Sequence, residues 1–187
     1  MILPWDDPSR AVRNMSLEGG RPCLDLLNTL RPSVPSDPPR REESEDLLPD
    51  YEDLLALAVR TVVLPSDEAD ALQARASREL DSAAAALEKA RDFRNLLRRL
   101  LLKLLRNEAP SPRDLASLEA LRSKARSLEV LVWEDGRFRL RPRFLAEGFE
   151  APVSAFVRDA DELLRSPDLA RVRIVRINTP EARFALS

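Results

Sequence analysis

One stretch of this chain constrains the fold more than any other, the segment from Asp81 to Asn107. Apolar side chains recur in it at alternating spacings of four and three, which places them on one stripe of an α-helix. No glycine or proline interrupts the segment, and almost every residue in it favours a helix. The sequence therefore predicts a long central helix with a core-facing stripe. The stripe contains Ala86, Leu87, Ala90, Phe93, Leu97, Leu100, Leu101, Leu104 and Leu105.

A single charged residue, Arg94, interrupts this apolar stripe. It lies seven residues from both Leu87 and Leu101, so its guanidinium points into the apolar arc. A buried guanidinium needs a carboxylate or carbonyl partner, unless its side chain reaches water. Two interpretations stay open, a structurally paired arginine and a cationic anchor for an anionic ligand.

A second polar group lies on a short helix predicted within Gly19–Leu30, after a pair of glycines. Asp25, Asn28 and Thr29 are spaced at i, i+3 and i+4, which predicts one shared polar face. That face is either solvated or aimed at a partner such as Arg94. We expect the segment to pack near the central helix, with Asp25 in contact with Arg94.

The remaining pattern predicts a mainly α protein, a single helical domain around the central helix with a β-hairpin and a short C-terminal strand. An Asp-Gly pair at 135 and 136 separates two alternating stretches, which is a strong hairpin signal for residues 129–141. Cap residues and apolar spacing predict the other helices. These are expected over 51–61, 66–76, 112–128 and 153–165, with strands near 171–177 and 183–186.

The prolines and acids of residues 31–49 predict a long loop, either disordered or acting as a flap. The acidic side chains between Glu42 and Asp53 are interpreted as solvated charge. The N-terminus carries acids where a signal peptide needs bases, and apolar runs are too short to span a bilayer. These features predict a cytoplasmic protein with no membrane partner.

The chain has no histidine and one cysteine, Cys23. A disulfide within the chain, a Cys/His zinc site in one copy and histidine-based catalysis are therefore excluded. Cys23 is expected to be a buried thiol. The sequence also lacks a glycine-rich phosphate loop and a serine elbow, so we predict no catalytic residue, no metal ligand, no cofactor and no enzymatic activity.

Charge is distributed unevenly along the chain. Residues 1–81 hold 9 basic and 17 acidic side chains, a net charge of −8, whereas residues 82–187 hold 21 and 15, a net charge of +6. The two halves could dock on each other, or the basic half could face a polyanion. Arginines that could contact phosphates, or simply form a solvated strand face, are Arg137, Arg139, Arg141, Arg143, Arg171, Arg173 and Arg176.

The segment GGRPCLDLLNTLRP, from Gly19 to Pro32, resembles the opening motif of the ABATE domain, which forms the N-terminal part of the CGNR zinc-finger family. ALEKARDFRNLLRRLL is similar to the A-x-x-L-R helix of that family, with Phe93 where leucine is usual and the arginine at Arg94. The Asp-Gly hairpin and DADELLRSPDLARVRIV are similar as well. The resemblance implies a domain of proposed stress-induced transcription regulators over residues 1–170.

The end of the chain departs from that family, in which the final strand leads into a cysteine-rich zinc ribbon. Here Ile177 or Asn178, and Ala182, stand where cysteines would be, and the chain ends at Ser187. Residues 171–187 are therefore interpreted as a remnant of the start of the ribbon. The resemblance carries over neither zinc binding nor DNA binding through the ribbon.

The resemblance implies a sensory domain that binds a small ligand, for which an anion would be suitable, at Asp25, Asn28, Thr29 and Arg94. An interaction or homodimerisation module with no small ligand is the alternative. A direct nucleic-acid binder through Arg137, Arg139, Arg141 and Arg173 is the third interpretation. DNA is expected as a partner only if another chain or segment supplies the residues that read it.

Overall fold

The structure is a computed structural model that describes residues 11–31, 45–176 and 182–187. It is mainly α, as the sequence predicts. The helices are α1 (Ala11–Asn14), α2 (Pro22–Leu27), α3 (Tyr51–Arg60), α4 (Ser66–Ala76), α5 (Leu80–Leu105), α6 (Pro112–Ser127), α7 (Phe144–Glu147) and α8 (Ala151–Arg165). The strands are β1 (Leu30–Arg31), β2 (Glu45–Asp46), β3 (Glu129–Glu134), β4 (Arg137–Pro142), β5 (Val172–Arg176) and β6 (Ala182–Leu186).

The helix α5 is the predicted central helix, and its bounds lie within two residues of the expected ones. Its predicted stripe is buried from Ala86 to Leu101, while Leu104 and Leu105 are partly buried at the C-terminal end. Arg94 lies inside the stripe with only 3% of its surface exposed. The prediction that this guanidinium points into the core is therefore confirmed.

The core forms where α2, α3 and α8 pack around α5. Asp50 caps α3 by accepting a hydrogen bond from the backbone N–H of Asp53, as a residue at that position should. The helix α8 is buried along most of its length, and Phe156 on it is fully buried. These contacts leave the short helix α2 enclosed between α5 and α8.

The helix α6 is less buried than its apolar spacing predicts. Ser111 caps it through the N–H of Asp114, as expected. However, Leu115 is 48% exposed, and Ala125 is the only fully buried residue of the helix. The reason is that α6 packs mainly along α8 near Ala125 and makes few contacts with α5, so the N-terminal half of its apolar face has little to cover it.

Three separate antiparallel pairs contain all of the described strands. In the predicted hairpin β3 pairs with β4, with Leu131 opposite Leu140 and Trp133 opposite Phe138. At the C-terminus β5 pairs with β6 in a second hairpin, close to the expected bounds. Residues 177–181 between β5 and β6, among them Ile177 and Asn178, lie outside the described residues, whereas Ala182 begins β6.

The two-residue strands β1 and β2 pair across most of the expected proline-rich loop, whose residues 32–44 lie outside the described part of the chain. The end of that expected loop is not irregular. Leu47 and Leu48 are buried in the core, and the Leu47 N–H donates to the carbonyl of Thr29. The segment from Glu45 to Leu48 is thereby fixed beside α5.

Candidate functional site

The Arg94 guanidinium makes its polar contacts with two residues, Thr29 just before β1 and Asp46 at the end of β2. Its Nη1 and Nη2 donate to the two carboxylate oxygens of Asp46 over 2.7 and 2.6 Å. Nη1 also donates to the Thr29 hydroxyl over 2.9 Å, and that hydroxyl donates to the carbonyl of Leu26. A bidentate pair of this kind fixes both partners in position.

The expected contact between Asp25 and Arg94 is wrong, since Asp46 takes that place. One Asp25 carboxylate oxygen instead accepts a hydrogen bond from the Gly19 N–H over 2.8 Å. The helix α2 ends at Leu27, so the spacing argument that put Asp25 and Thr29 on one helix face does not extend to Thr29. Burial raises the pKa of Asp25 to about 6, although the Gly19 N–H and Arg60 act against this.

Asn28 also lies apart from the Arg94 pair. Its side-chain amide donates to the Phe184 carbonyl and accepts from the Phe184 N–H, each over 2.9 Å. Next to it, the Leu186 N–H donates to the carbonyl of Gly19. Asp25, Asn28 and Thr29 are thus all buried, yet they hold three different segments, the glycine turn, β6 and the Arg94 side chain.

Asp46 is the residue of this site that sequence reasoning missed, because the acids between Glu42 and Asp53 were interpreted as solvated charge. That interpretation is wrong for Asp46, which pairs with Arg94, and for Asp53, which is 1% exposed. Burial by itself would raise the pKa of Asp46. Hydrogen bonds from Arg94 and from the Leu48 N–H outweigh burial, so that the pKa is lowered.

A row of three arginines follows one face of α5 around this pair. Arg91 lies 3.5 Å from Asp46 and donates to the carbonyl of Leu48. Arg98, one turn beyond Arg94, lies over the Phe184 ring with its guanidinium carbon 5.7 Å from the ring centre. Burial, together with the positive charge of Arg94, lowers the pKa of Arg98. Within the described part of the chain, Arg98 forms no ion pair.

Charge around the site is asymmetric. On the Asp46 side, a depression of about 460 Å³ is lined by Glu45, Asp46, Asp50 and Asp53, and Arg94 does not line it. Arg98 does not line this depression; it is partly exposed, and no carboxylate among the described residues pairs with it. The acidic lining makes this depression unfavourable for an anion, whereas the positive charge of Arg98 is favourable for one.

The arginines considered for nucleic-acid contact lie on two separate hairpins. Arg139 pairs with Asp135 and Arg141 with Glu134, both within the β3–β4 hairpin. Arg173, on β5, donates to the carbonyls of Ala170 and Val172. Because Arg139, Arg141 and Arg173 already have partners close to them in the sequence, the geometry gives little support to a phosphate-binding row made of them and Arg137.

Cys23 is buried, as predicted, and burial is the main reason that the pKa of its thiol is raised. Within residues 11–31, 45–176 and 182–187, no three His, Cys, Asp or Glu side chains are arranged so that they could hold a metal ion together. Among the helices described, none has the length and apolar character that a membrane span requires.

The sequence matches a family model over residues 20–167, well over half of the chain. The model is that of ABATE, described as "Putative stress-induced transcription regulator". The chain belongs to the ABATE family. The matched region contains α2, the β1–β2 pair, the central helix and the β3–β4 hairpin, whereas the C-terminal hairpin that Asn28 holds follows it. No curated protein and no solved structure matches this ABATE chain.

Proposed function

We propose that this ABATE chain is a regulatory domain that senses a small anion through the Arg98 side of the arginine row on α5. The anion would bind the Arg98 guanidinium and reach towards Arg94. In this proposal Arg94 and Thr29 remain part of the predicted ligand site. Asp25 and Asn28 do not contact the ligand but hold the glycine turn and β6 in place beside the site.

The observation that supports the proposal is the excess of positive charge in a partly buried position. Arg91 and Arg94 both pair with the Asp46 carboxylate, and Arg98 adds a third positive charge one turn further along α5. Arg91 has a further partner in Glu88, whereas among the described residues the partner of Arg98 is the Phe184 ring. Repulsion from Arg94 makes the charged form of Arg98 less favourable, and a bound anion would relieve that repulsion.

Asp46 would be the internal competitor of the anion. Its carboxylate already neutralises Arg94, so any anion that contacts Arg94 directly must weaken the Asp46 pair. The segment Glu45–Leu48 carries Asp46, and its position would therefore respond to anion binding. This provides a physical link between the site and the segment that precedes α3, and a ligand that favours one position of the segment would shift the population towards it.

Thermal unfolding with inorganic phosphate, at constant ionic strength adjusted with sodium chloride, tests the proposal. Ligand binding to the folded state alone stabilises it by about 1.4 kcal/mol at ten times the dissociation constant. For a chain of this length that corresponds to a rise in Tm of roughly 3–5 °C. The rise is expected both in the unaltered chain and in Asp46→Asn. Because Asp46→Asn removes the competing carboxylate, its Tm should rise at a lower phosphate concentration than that of the unaltered chain.

Arg98→Gln should abolish this rise. The matched control is Arg99→Gln, because Arg99 is the next residue of α5 but is exposed and pairs with Asp114. Equal phosphate responses in Arg98→Gln and Arg99→Gln would mean that the stabilisation is a general salt effect, and the proposal would then be wrong.

A further inference from the structure

The β3–β4 hairpin presents an apolar face to solvent. Leu131 and Trp133 on β3 are each 63% exposed, and Phe138 and Leu140 on β4 are 68% and 53% exposed. The four side chains lie on one face because Leu131 is opposite Leu140 and Trp133 is opposite Phe138. The two aromatic rings meet edge to face, with centroids 4.8 Å apart. The sequence pattern predicts this shared face but not its exposure.

The hairpin has little else to stabilise it. Among the described elements, β3 and β4 pack extensively only on each other. A two-stranded sheet on its own is marginally stable in water, and a hydrophobic face normally needs another layer to cover it. No other described element forms that layer, although the face carries a tryptophan and a phenylalanine, which are enriched at the centres of interfaces.

We infer that a second copy of this chain covers the face, so that two hairpins pack face to face about a two-fold axis. The face has two rows of different size, the aromatic pair near the turn and the leucine pair further from it. With antiparallel hairpins, the aromatic pair of one copy lies on the leucine pair of the other. Each copy then makes the same contacts as its partner, as a two-fold interface requires.

The apolar area alone lies just below what a dimer needs. Fully buried aromatic side chains contribute roughly 150–250 Å² each, so two aromatic and two leucine side chains that are 53–68% exposed present roughly 450 Å² per copy. A standard interface buries about 800 Å² per partner, and the lower limit for a specific one is about 500 Å². The apolar face therefore supplies most of a small interface, and the stems of neighbouring arginines such as Arg137 supply the rest.

The charges of the hairpin favour a like partner over a membrane surface. The four positions of the face are uncharged, so two copies bring no like charges together at its centre. At the rim, Arg139 and Arg141 are neutralised by Asp135 and Glu134. Binding to anionic headgroups needs free basic side chains, and these ion pairs leave few of them on the hairpin.

Sedimentation equilibrium of the full chain between about 1 and 100 µM tests the inference. A monomer–dimer equilibrium is expected, and Leu131→Lys should weaken it at least about tenfold. The matched control is Leu115→Lys, which places the same charge on an exposed leucine of α6 outside the hairpin. The control should leave the dissociation constant unchanged within about twofold. Far-ultraviolet circular dichroism shows whether each variant is folded.

A second measurement reports on the hairpin itself. Trp5→Phe leaves Trp133 as the only tryptophan of the chain. Its emission should shift to shorter wavelength as protein concentration rises, with the same midpoint as dimer formation. The same titration, repeated with vesicles of anionic phospholipid, distinguishes a lipid surface from a second copy.

Three results would overturn the inference. The first is a chain that stays monomeric up to 100 µM. The second is a dimer that Leu131→Lys and Leu115→Lys weaken equally, since its interface would then lie elsewhere. The third is a blue shift of Trp133 that occurs only with vesicles, in which case the apolar face binds lipid and not another copy.

Discussion

The side-chain amide of Asn28 forms hydrogen bonds with both backbone groups of Phe184, at 2.9 Å for each contact. Asn28 follows the last turn of α2, and Phe184 lies in the middle of β6. The asparagine thus acts as one residue of a neighbouring strand and fastens the C-terminal hairpin to the N-terminal segment. This contact explains a buried asparagine that the sequence alone left open as a ligand-binding residue.

Asn28→Ala should release the β6 strand. The substitution leaves the Phe184 N–H and carbonyl without partners in a buried position, which should cost about 2–3 kcal/mol of stability. Hydrogen exchange should rise most at residues 182–186. Asn95→Ala, at an exposed position of α5, is the control and should have little effect. Exchange that rises equally in the two variants would contradict the fastening role.

Arg94→Ala should destabilise the fold by about 3 kcal/mol, because it leaves the Asp46 carboxylate without the partner that holds it. Urea unfolding of Arg94→Ala, Asp46→Ala and the double variant measures the coupling, which we expect to be about 2 kcal/mol. Arg99→Ala is the exposed control and should change stability by less than about 0.5 kcal/mol. A cost for Arg94→Ala no greater than that of the control would mean that the pair does not stabilise the fold.

Asp25 should make the protein less stable as pH rises from about 4 to 7. Its pKa is about 6 in the folded protein against 3.8 ordinarily, so the folded state binds the extra proton between those values. Stability from this group is therefore greatest below pH 4 and falls as pH rises through 6, by about 3 kcal/mol in total.

Asp25→Asn isolates that effect, since the amide oxygen can still accept from the Gly19 N–H. Groups with a lowered pKa, such as Asp46, act in the opposite direction, so the difference between the variant and the unaltered chain is the quantity to measure. Urea unfolding at pH 4 and pH 7 should show a larger advantage of the variant at pH 7. An equal difference at both pH values would show that Asp25 is not held with a raised pKa.

Gly19→Ala should destabilise the fold more than the same substitution at a glycine with free space around it. A Cβ atom at Gly19 would lie 2.8 Å from the Asp25 backbone nitrogen and 2.8 Å from the Leu24 Cβ. Such overpacking should cost about 3 kcal/mol. At Gly136 a Cβ atom meets nothing within 4 Å, and the φ of +74° alone costs about 1 kcal/mol on Gly136→Ala. Thermal unfolding of the two variants compares them, and the reverse order would contradict the close approach at Gly19.

Several features were predictable because they depend on neighbours in the sequence. The helix spacing from Leu87 to Leu101 placed Arg94 in the core, and this succeeded because α5 is unbroken between them. The same argument failed for Asp25 and Thr29, because α2 ends at Leu27 before the second residue. Periodicity predicts a shared face only as far as the helix continues.

The exposure of apolar side chains was less predictable than the helix or strand that carries them. The hairpin and the apolar spacing of α6 were both read from the sequence, yet Trp133 and Leu115 are exposed. Periodic apolar residues show which face of a helix or strand can be buried. Whether another element covers that face depends on how the elements pack. In this fold α6 lies mainly along α8, and the β3–β4 hairpin has little contact with the helices.

The sequence by itself determined the helices, the hairpins and the need of Arg94 for a partner, because helix periodicity, caps and turns are set by residues a few positions apart. Only the tertiary structure decided that Asp46 meets this need, that Asn28 holds Phe184 and that Arg98 lies over the ring of Phe184. Those partners lie 48 or more positions apart, and they are brought together by burial of the apolar core, which is non-directional and leaves no local signal of which polar groups will meet.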